Sequence, residues 1–186
     1  MSVIRVASRY AKSLLELSVE KGQLEEVYKD MVRLKDLAAS NRDFKVMLQS
    51  PVINSEKKLK VLSTLFSENS ASVTTAFFNI LTQKGRETVL LDIAKEFHKQ
   101  YNLHKGIQEA EVVTTFPIDE ELRQSFLQMV KEISGKEQVE LKETLDEDLI
   151  GGFVLTVGDR QIDESLNSKL NQLKLKFTQN LYEKKY

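Results

Sequence analysis

The sequence predicts a mostly α-helical protein with a small α/β part: an N-terminal six-helix bundle followed by a small β-α-β-β-α domain. Three observations carry that expectation. Apolar residues recur at helical spacing through the first 105 residues, and the period switches to two just after Gly106. The balance of charge also changes sign there. Residues 1–105 hold 17 Lys and Arg against 12 Asp and Glu, while residues 106–186 hold 10 against 16. The formal net charge of -1 therefore hides a basic first part and an acidic second one. Two domains are expected, 1–105 and 106–186, each long enough to bury a core.

The first helix is read from Ile4, Ala7, Ala11, Leu14 and Leu15 on one face, with Gly22 placed to end it. Leu24, Val27, Met31, Leu34 and Ala38 repeat the pattern. Asn41 or Asp43 caps a short third helix holding Phe44, Met47 and Leu48, and Pro51 breaks the chain after it. Ser55 opens a basic fourth helix with Lys57, Lys58, Leu59, Leu62, Leu65 and Phe66. Val73, Ala76, Phe77, Ile80 and Leu81 mark a fifth, closed by Gly85. Val89, Leu90, Ile93, Phe97 and Tyr101 mark a sixth, ending near Gly106. Short amphipathic helices with short connections cannot each bury a stripe alone, so they are expected to form one bundle.

After Gly106, "IQEAEVVTTF" sets Ala110, Val112, Thr114 and Phe116 on one side of a strand. Pro117 and Asp119 open a helix carrying Leu122, Phe126, Met129 and Ile133. "QVELKETL" alternates again with Val139 and Leu141 inward, and "GGFVLTV" reads as a buried strand. Asp163 is placed to cap a last helix with Leu166, Leu170, Leu173, Phe177 and Leu181 inward. Helices on one face of a small sheet are the expected result.

Chemistry is hard to find in this chain. It has no Cys, which removes disulfides, thiolate metal sites and thiol nucleophiles. "LIGGFVLTVGDRQID" gathers three glycines around an apolar run, yet Gly151 and Gly152 precede the strand instead of joining it to a helix. Neither GxxxxGK[ST] nor GxGxxG is present, so the phosphate-loop reading fails. Gly158-Asp159 suits a tight hairpin turn, and the Gly151-Gly152 pair a bulge or a close backbone approach. His98 and His104 stand six apart and share no helix face as a metal pair would. No GxSxG elbow is present, and "DEELR" and "DEDL" read as helix or turn starts. "EKKLK" lacks aromatic interleaving, which argues against nucleic acid. No apolar run reaches the roughly 20 residues of a membrane span, and the polar-interrupted N-terminus is not a signal peptide. No catalytic residue, cofactor or metal ligand is assigned.

What stands out is apolar surface on more than one helix face. Ala7, Ala11 and Leu14 form one stripe of the first helix, and Tyr10 and Leu17 a neighbouring one. On the fifth, Ala76 and Ile80 lie beside Phe77 and Phe78. Two apolar faces must be buried twice, by the core and by a partner's helix, or all of them by the core.

Four stretches then resemble the family of bacterial F-type ATP synthase δ subunits and their mitochondrial counterpart, the oligomycin-sensitivity-conferring protein. They are "VASRYAKSLLELSVEKG", "LQSPVINSEKK", "FFNILTQKGRETVLLDIAKEF" and "LIGGFVLTVGDRQIDESLNSKLNQL". They span nearly the whole chain in order, and the last, with its Gly pair, Gly-Asp and Asp-x-Ser, is the most specific. The resemblance implies a non-catalytic stator component that links the peripheral stalk to the crown of the catalytic αβ head. It implies that the bundle takes an N-terminal helix of an ATP synthase α subunit between its first and fifth helices. Contacts are expected at Ala7, Tyr10, Ala11 and Leu14, with Ala76, Asn79 and Ile80 opposite. It implies that the second domain meets the C-terminal end of the b subunit, with one copy per complex. No cofactor, nucleic acid or direct membrane insertion is expected. The expected location is the cytoplasmic face of a bacterial plasma (inner) membrane, as a peripheral part of the complex. A free-standing helical adaptor binding another partner helix is the alternative.

Overall fold

The structure, a computed structural model, describes residues 3–66 and 70–178. The chain is mostly α-helical with a small four-stranded mixed sheet, and it divides into two compact units, Met1–His104 and Lys105–Tyr186.

The first unit holds α1 (Val3–Glu20), α2 (Leu24–Ser40), α3 (Arg42–Gln49), α4 (Ser55–Leu65), α5 (Ser72–Gln83) and α6 (Leu90–Lys105), whose last residue falls in the second unit. A single 3-10 turn, Glu87–Val89, leads into α6 and takes Val89 out of it. The core is built from Leu14, Met31, Leu34, Leu48, Leu62, Leu81, Ile93 and Phe97. Each such side chain contributes about 1.5–3 kcal/mol by leaving water.

Caps follow the local chemistry. Asn41 opens α3, its side chain accepting from Phe44 N at 3.1 Å, which decides between the two expected caps. Asn54, not Ser55, occupies the cap position of α4, and its backbone carbonyl accepts from Lys57 N and Lys58 N.

Two buried polar ties and one part-buried tie hold helices that sequence patterns leave unconnected. Asp30 on α2 accepts from the Ala71 amide (3.1 Å) and so terminates α5 from outside. Lys58, expected on a basic surface, is buried and donates Nζ to the Leu48 carbonyl (3.0 Å). It thereby satisfies an open carbonyl at the end of α3, where a positive charge also meets the negative end of the helix dipole. Tyr101 stacks on Tyr28 with ring centroids 3.9 Å apart and donates to Glu25 Oε2 at 2.8 Å.

The second unit holds β1 (Gln108–Thr114), α7 (Glu120–Ser134), β2 (Val139–Leu145), β3 (Phe153–Val157), β4 (Arg160–Asp163) and α8 (Leu166–Thr178). A 3-10 turn at Glu147–Leu149 precedes β3. The strand order is β2-β1-β3-β4. β1 and β2 run parallel across the α7 crossover, with Val112 beside Glu143. β3 lies antiparallel to both β1 and β4, placing Leu155 between Val112 and Ile162. Ala110, Val112, Leu155 and Val157 pack with Phe126 and Val130 of α7, and Met129, Ile133, Val139, Leu141 and Phe153 border them. Asp119 caps α7 by accepting from Leu122 N at 2.8 Å.

Several expectations need correction. β4 is a strand where none was expected; with one apolar residue in four, Arg160–Asp163 carries no period-two signal and pairs through the Gly158 turn. Ile4 is 67% exposed, one turn ahead of the helix face that meets the core. Phe116 lies beyond the end of β1 and Leu122 in the first turn of α7, and both are exposed. The largest departure is α8. Leu166, Leu170, Leu173 and Phe177, expected inward, are all exposed. Leu181 lies outside the described residues. Asp163 does not cap α8 directly: Ser165 Oγ accepts from Ser168 N, and Asp163 braces that cap from the end of β4 through Ser165 N and Ser168 Oγ. Those bonds, Ser168 first, hold the Asp163 carboxyl below its ordinary pKa.

Candidate partner-binding groove

α1 is kept close to the bundle by small residues. Ala7, Ala11, Leu14 and Ser18 form its buried face, and Ser18 Oγ donates to the Leu14 carbonyl of the same helix, so no partner is needed for it. α5 buries Val73, Thr74, Phe77, Phe78, Leu81 and Thr82, with Thr82 Oγ1 likewise satisfied by the Phe78 carbonyl at 2.8 Å. The two helices run antiparallel. Ser72 at the start of α5 donates to Gln23 beyond the end of α1 (3.1 Å), and Arg86 beyond α5 reaches back to Tyr10 (2.9 Å).

The expected site residues separate into two groups. Ala7 and Ala11 are 0% exposed and Leu14 is 1% exposed, so they face the bundle and cannot touch a partner. Their expected role is revised: small side chains there set how closely α1 approaches its neighbours. Tyr10, Ala76, Asn79 and Ile80 do reach the surface, with Ile80 49% exposed. Tyr10 is half-buried, its ring edge-on to Phe77 with centroids 6.2 Å apart. Asn79 donates Nδ2 to the Thr75 carbonyl on its own helix (3.1 Å).

The same α1 stripe as Tyr10 also carries Val3, Val6 and Leu17, of which Val3 and Leu17 are exposed. Of these, the Tyr10–Leu17 spacing was readable as a stripe beside the buried one. Val3 and Val6 extend that stripe at i−7 and i−4, a signal present in the pattern. Arg86 belongs to the "FFNILTQKGRETVLLDIAKEF" stretch that carries the resemblance, but nothing there signals its contact with Tyr10, which only the turn after α5 creates. An apolar seam between two antiparallel helices, floored by Phe77, is suited to an amphipathic helix.

A Cβ on Gly152 (φ +80°) would stand 2.3 Å from the Glu164 carbonyl oxygen, so the backbone at Glu164 already fills the space a phosphate would need. Gly158 takes φ +58° in the β3–β4 turn, as a tight hairpin requires. His98 stacks on Tyr28 with centroids 5.6 Å apart, and His104 is exposed near the end of α6. On the sheet, Glu111 accepts from Lys142 (2.7 Å) and Thr144 (2.9 Å), bonds that lower its pKa, Lys142 first. Among the described residues no helix is long and apolar enough to cross a membrane.

The family model for the ATP synthase delta (OSCP) subunit matches residues 6–177. The chain belongs to that family. It is 40% identical over 179 residues to the ATP synthase subunit delta of Cytophaga hutchinsonii, covering 96% of this chain and 97% of that protein. It is 37% identical over 178 residues to the same-named protein of Christiangramia forsetii, covering 96% of each. Among solved structures, it resembles a chain of the Toxoplasma gondii mitochondrial ATP synthase hexamer with a TM-score of 0.76 at 22% identity. That likeness covers 92% of this chain and 97% of the other, and it speaks for the fold. The family match thus runs through both units of the chain.

Proposed function

We propose that the chain is a non-catalytic stator component of a proton-translocating F-type ATP synthase. It links the peripheral stalk to the crown of the catalytic αβ head, so that rotor torque drives ATP synthesis instead of turning the head. A stator needs two binding surfaces on one chain and no reacting group. The observation that carries the reading is the surface seam of Tyr10, Ala76 and Ile80 over Phe77, on a chain of this family.

In this reading the first unit, 1–105, takes the N-terminal segment of an α subunit along the seam. The second, 106–186, meets the C-terminal end of the b subunit. The bare α8 supports the second assignment: Leu166, Leu170, Leu173, Leu175 and Phe177 are exposed on a 13-residue helix. The acidic balance of that half of the sequence favours a basic segment on the stalk. One copy sits in each complex, peripheral to the membrane, on the cytoplasmic side of a bacterial inner membrane.

Affinity purification of the tagged full chain from its own cells tests this. Co-purification of α, β and b subunits in complex proportions is expected. Recovery of a different helical partner without them would favour a free-standing adaptor and overturn the stator.

A further inference from the structure

We infer that Arg86 reads a carboxylate on the helix that docks between α1 and α5. The docked helix then carries an Asp or Glu three or four residues from the apolar side chain seated against Tyr10 and Ile80. This inference rests on the proposed groove and adds to it a residue and a chemical requirement on the partner.

The backbone at Arg86 is held on both sides. Gly85 turns the chain with φ +62°, Arg86 N donates to the Leu81 carbonyl (3.0 Å), and Arg86 O accepts from Val89 N (3.1 Å). The side chain is held as well. Nη1 donates to Tyr10 Oη at 2.9 Å, and the guanidinium carbon lies 5.6 Å from the centre of the Tyr10 ring. Tyr10 in turn rests edge-on against Phe77, a core residue. A side chain that ordinarily samples many rotamers is therefore aimed along one end of the seam.

The guanidinium is oriented but not neutralised. It spends one N–H of five on Tyr10. Among the described residues no carboxylate lies within 4.0 Å of it. The adjacent acid, Glu87, points into the bundle and is 4% exposed. Docking an apolar helix here would strip water from the charge, which costs free energy unless the docked helix brings a counter-charge. A carboxylate fits the planar fork with two parallel bonds. On an α-helix, a residue three or four places from the apolar contact lies about 5–6 Å away, the reach needed from Tyr10 to Arg86.

A purely structural role, pinning α1 to the end of α5, makes a different prediction, and a binding cycle separates the two. The full chain is titrated calorimetrically with a synthetic peptide of the first residues of the α subunit from the same organism. Peptides in which each Asp or Glu is changed singly to Asn or Gln are compared, against the wild-type chain and Arg86→Gln, with thermal melts to check folding. We expect Arg86→Gln to weaken the parent peptide about tenfold or more. One neutralised peptide should lose the same factor on the wild-type chain and nothing further on Arg86→Gln. Arg86→Lys, which keeps charge but not the fork, should recover part of the loss. Equal losses for every peptide, with no acid coupled to Arg86, would overturn the inference while leaving the groove in place. A folded wild-type chain that does not bind the parent peptide overturns the groove itself, and this inference with it.

Discussion

α1 and α8 look alike as sequences and behave differently in the fold. Both are amphipathic, with apolar residues at helical spacing. α1 buries Ala7, Ala11, Leu14 and Ser18 and keeps a second, weaker stripe at the surface. Among its described side chains α8 buries none: from Leu170 to Phe177 every residue is exposed, and Phe177 reaches 83%. Apolar periodicity alone therefore does not say whether the chain itself covers the face. The difference lies in the neighbours. α1 has α2 and α5 packed against it, whereas the sheet of the second unit closes its core with α7 among the described helices. The first pattern is a self-stabilised bundle with a groove left over, and the second is the surface proposed above to meet a partner.

Substitutions at matched positions can break this contrast. The largest effect is expected from Ala11→Asp, which places a charge at a site with 0% exposure. It should destabilise the bundle by about 3–5 kcal/mol in urea unfolding. A stable, fully helical variant would mean that α1 does not pack as described. Gly152→Ala should cost about 1–3 kcal/mol, since a side chain at φ +80° would also strike the Glu164 carbonyl. That loss should appear in the unfolding of the second unit while the bundle melts as before.

The pH dependence comes next. Burial, and then the bond to Glu25, push the Tyr101 hydroxyl from 10.0 up to about 12. A raised pKa means that the neutral form is favoured in the folded state. Its contribution is whole below pH 10 and is lost as pH climbs from 10 through about 12. Stability measured across that window should fall, and Tyr101→Phe should flatten the slope. An unchanged slope in Tyr101→Phe would remove Tyr101 as the cause. The smallest effect is predicted for Leu173→Gln on α8, within about 0.5 kcal/mol of wild type. A loss of 2 kcal/mol or more would show that α8 is packed against its own chain.

Much of this was legible in the sequence because helices of a bundle announce themselves through a strong period of 3.6. The helical run to Gly106, the caps at Asn41 and Asp119 and the turn at Gly158 were all readable from local chemistry. What was not legible depends on long-range partners. Lys58 looked like surface charge, since nothing local signals that the Leu48 carbonyl ten residues back would draw it inside. Ala7 and Ala11 were readable as a stripe but not as core or groove, because a pattern does not say which of two apolar faces the bundle takes. Ile150 is a further case. The turn before it closes with Ile150 N on the Glu147 carbonyl, and the Gly151 carbonyl beyond it is committed to Leu166 N. A β-branched residue is thereby left at φ 66°, where sequence reasoning expects glycine.

In the proposed role, one chain holds two partners at once through separate units. Sedimentation of the purified full chain with an α-subunit N-terminal peptide and a soluble C-terminal fragment of the b subunit can decide this. A 1:1:1 complex is expected, with each ligand bound as tightly in the presence of the other as alone. Competition between the two ligands, or failure of the folded chain to bind either, would contradict it.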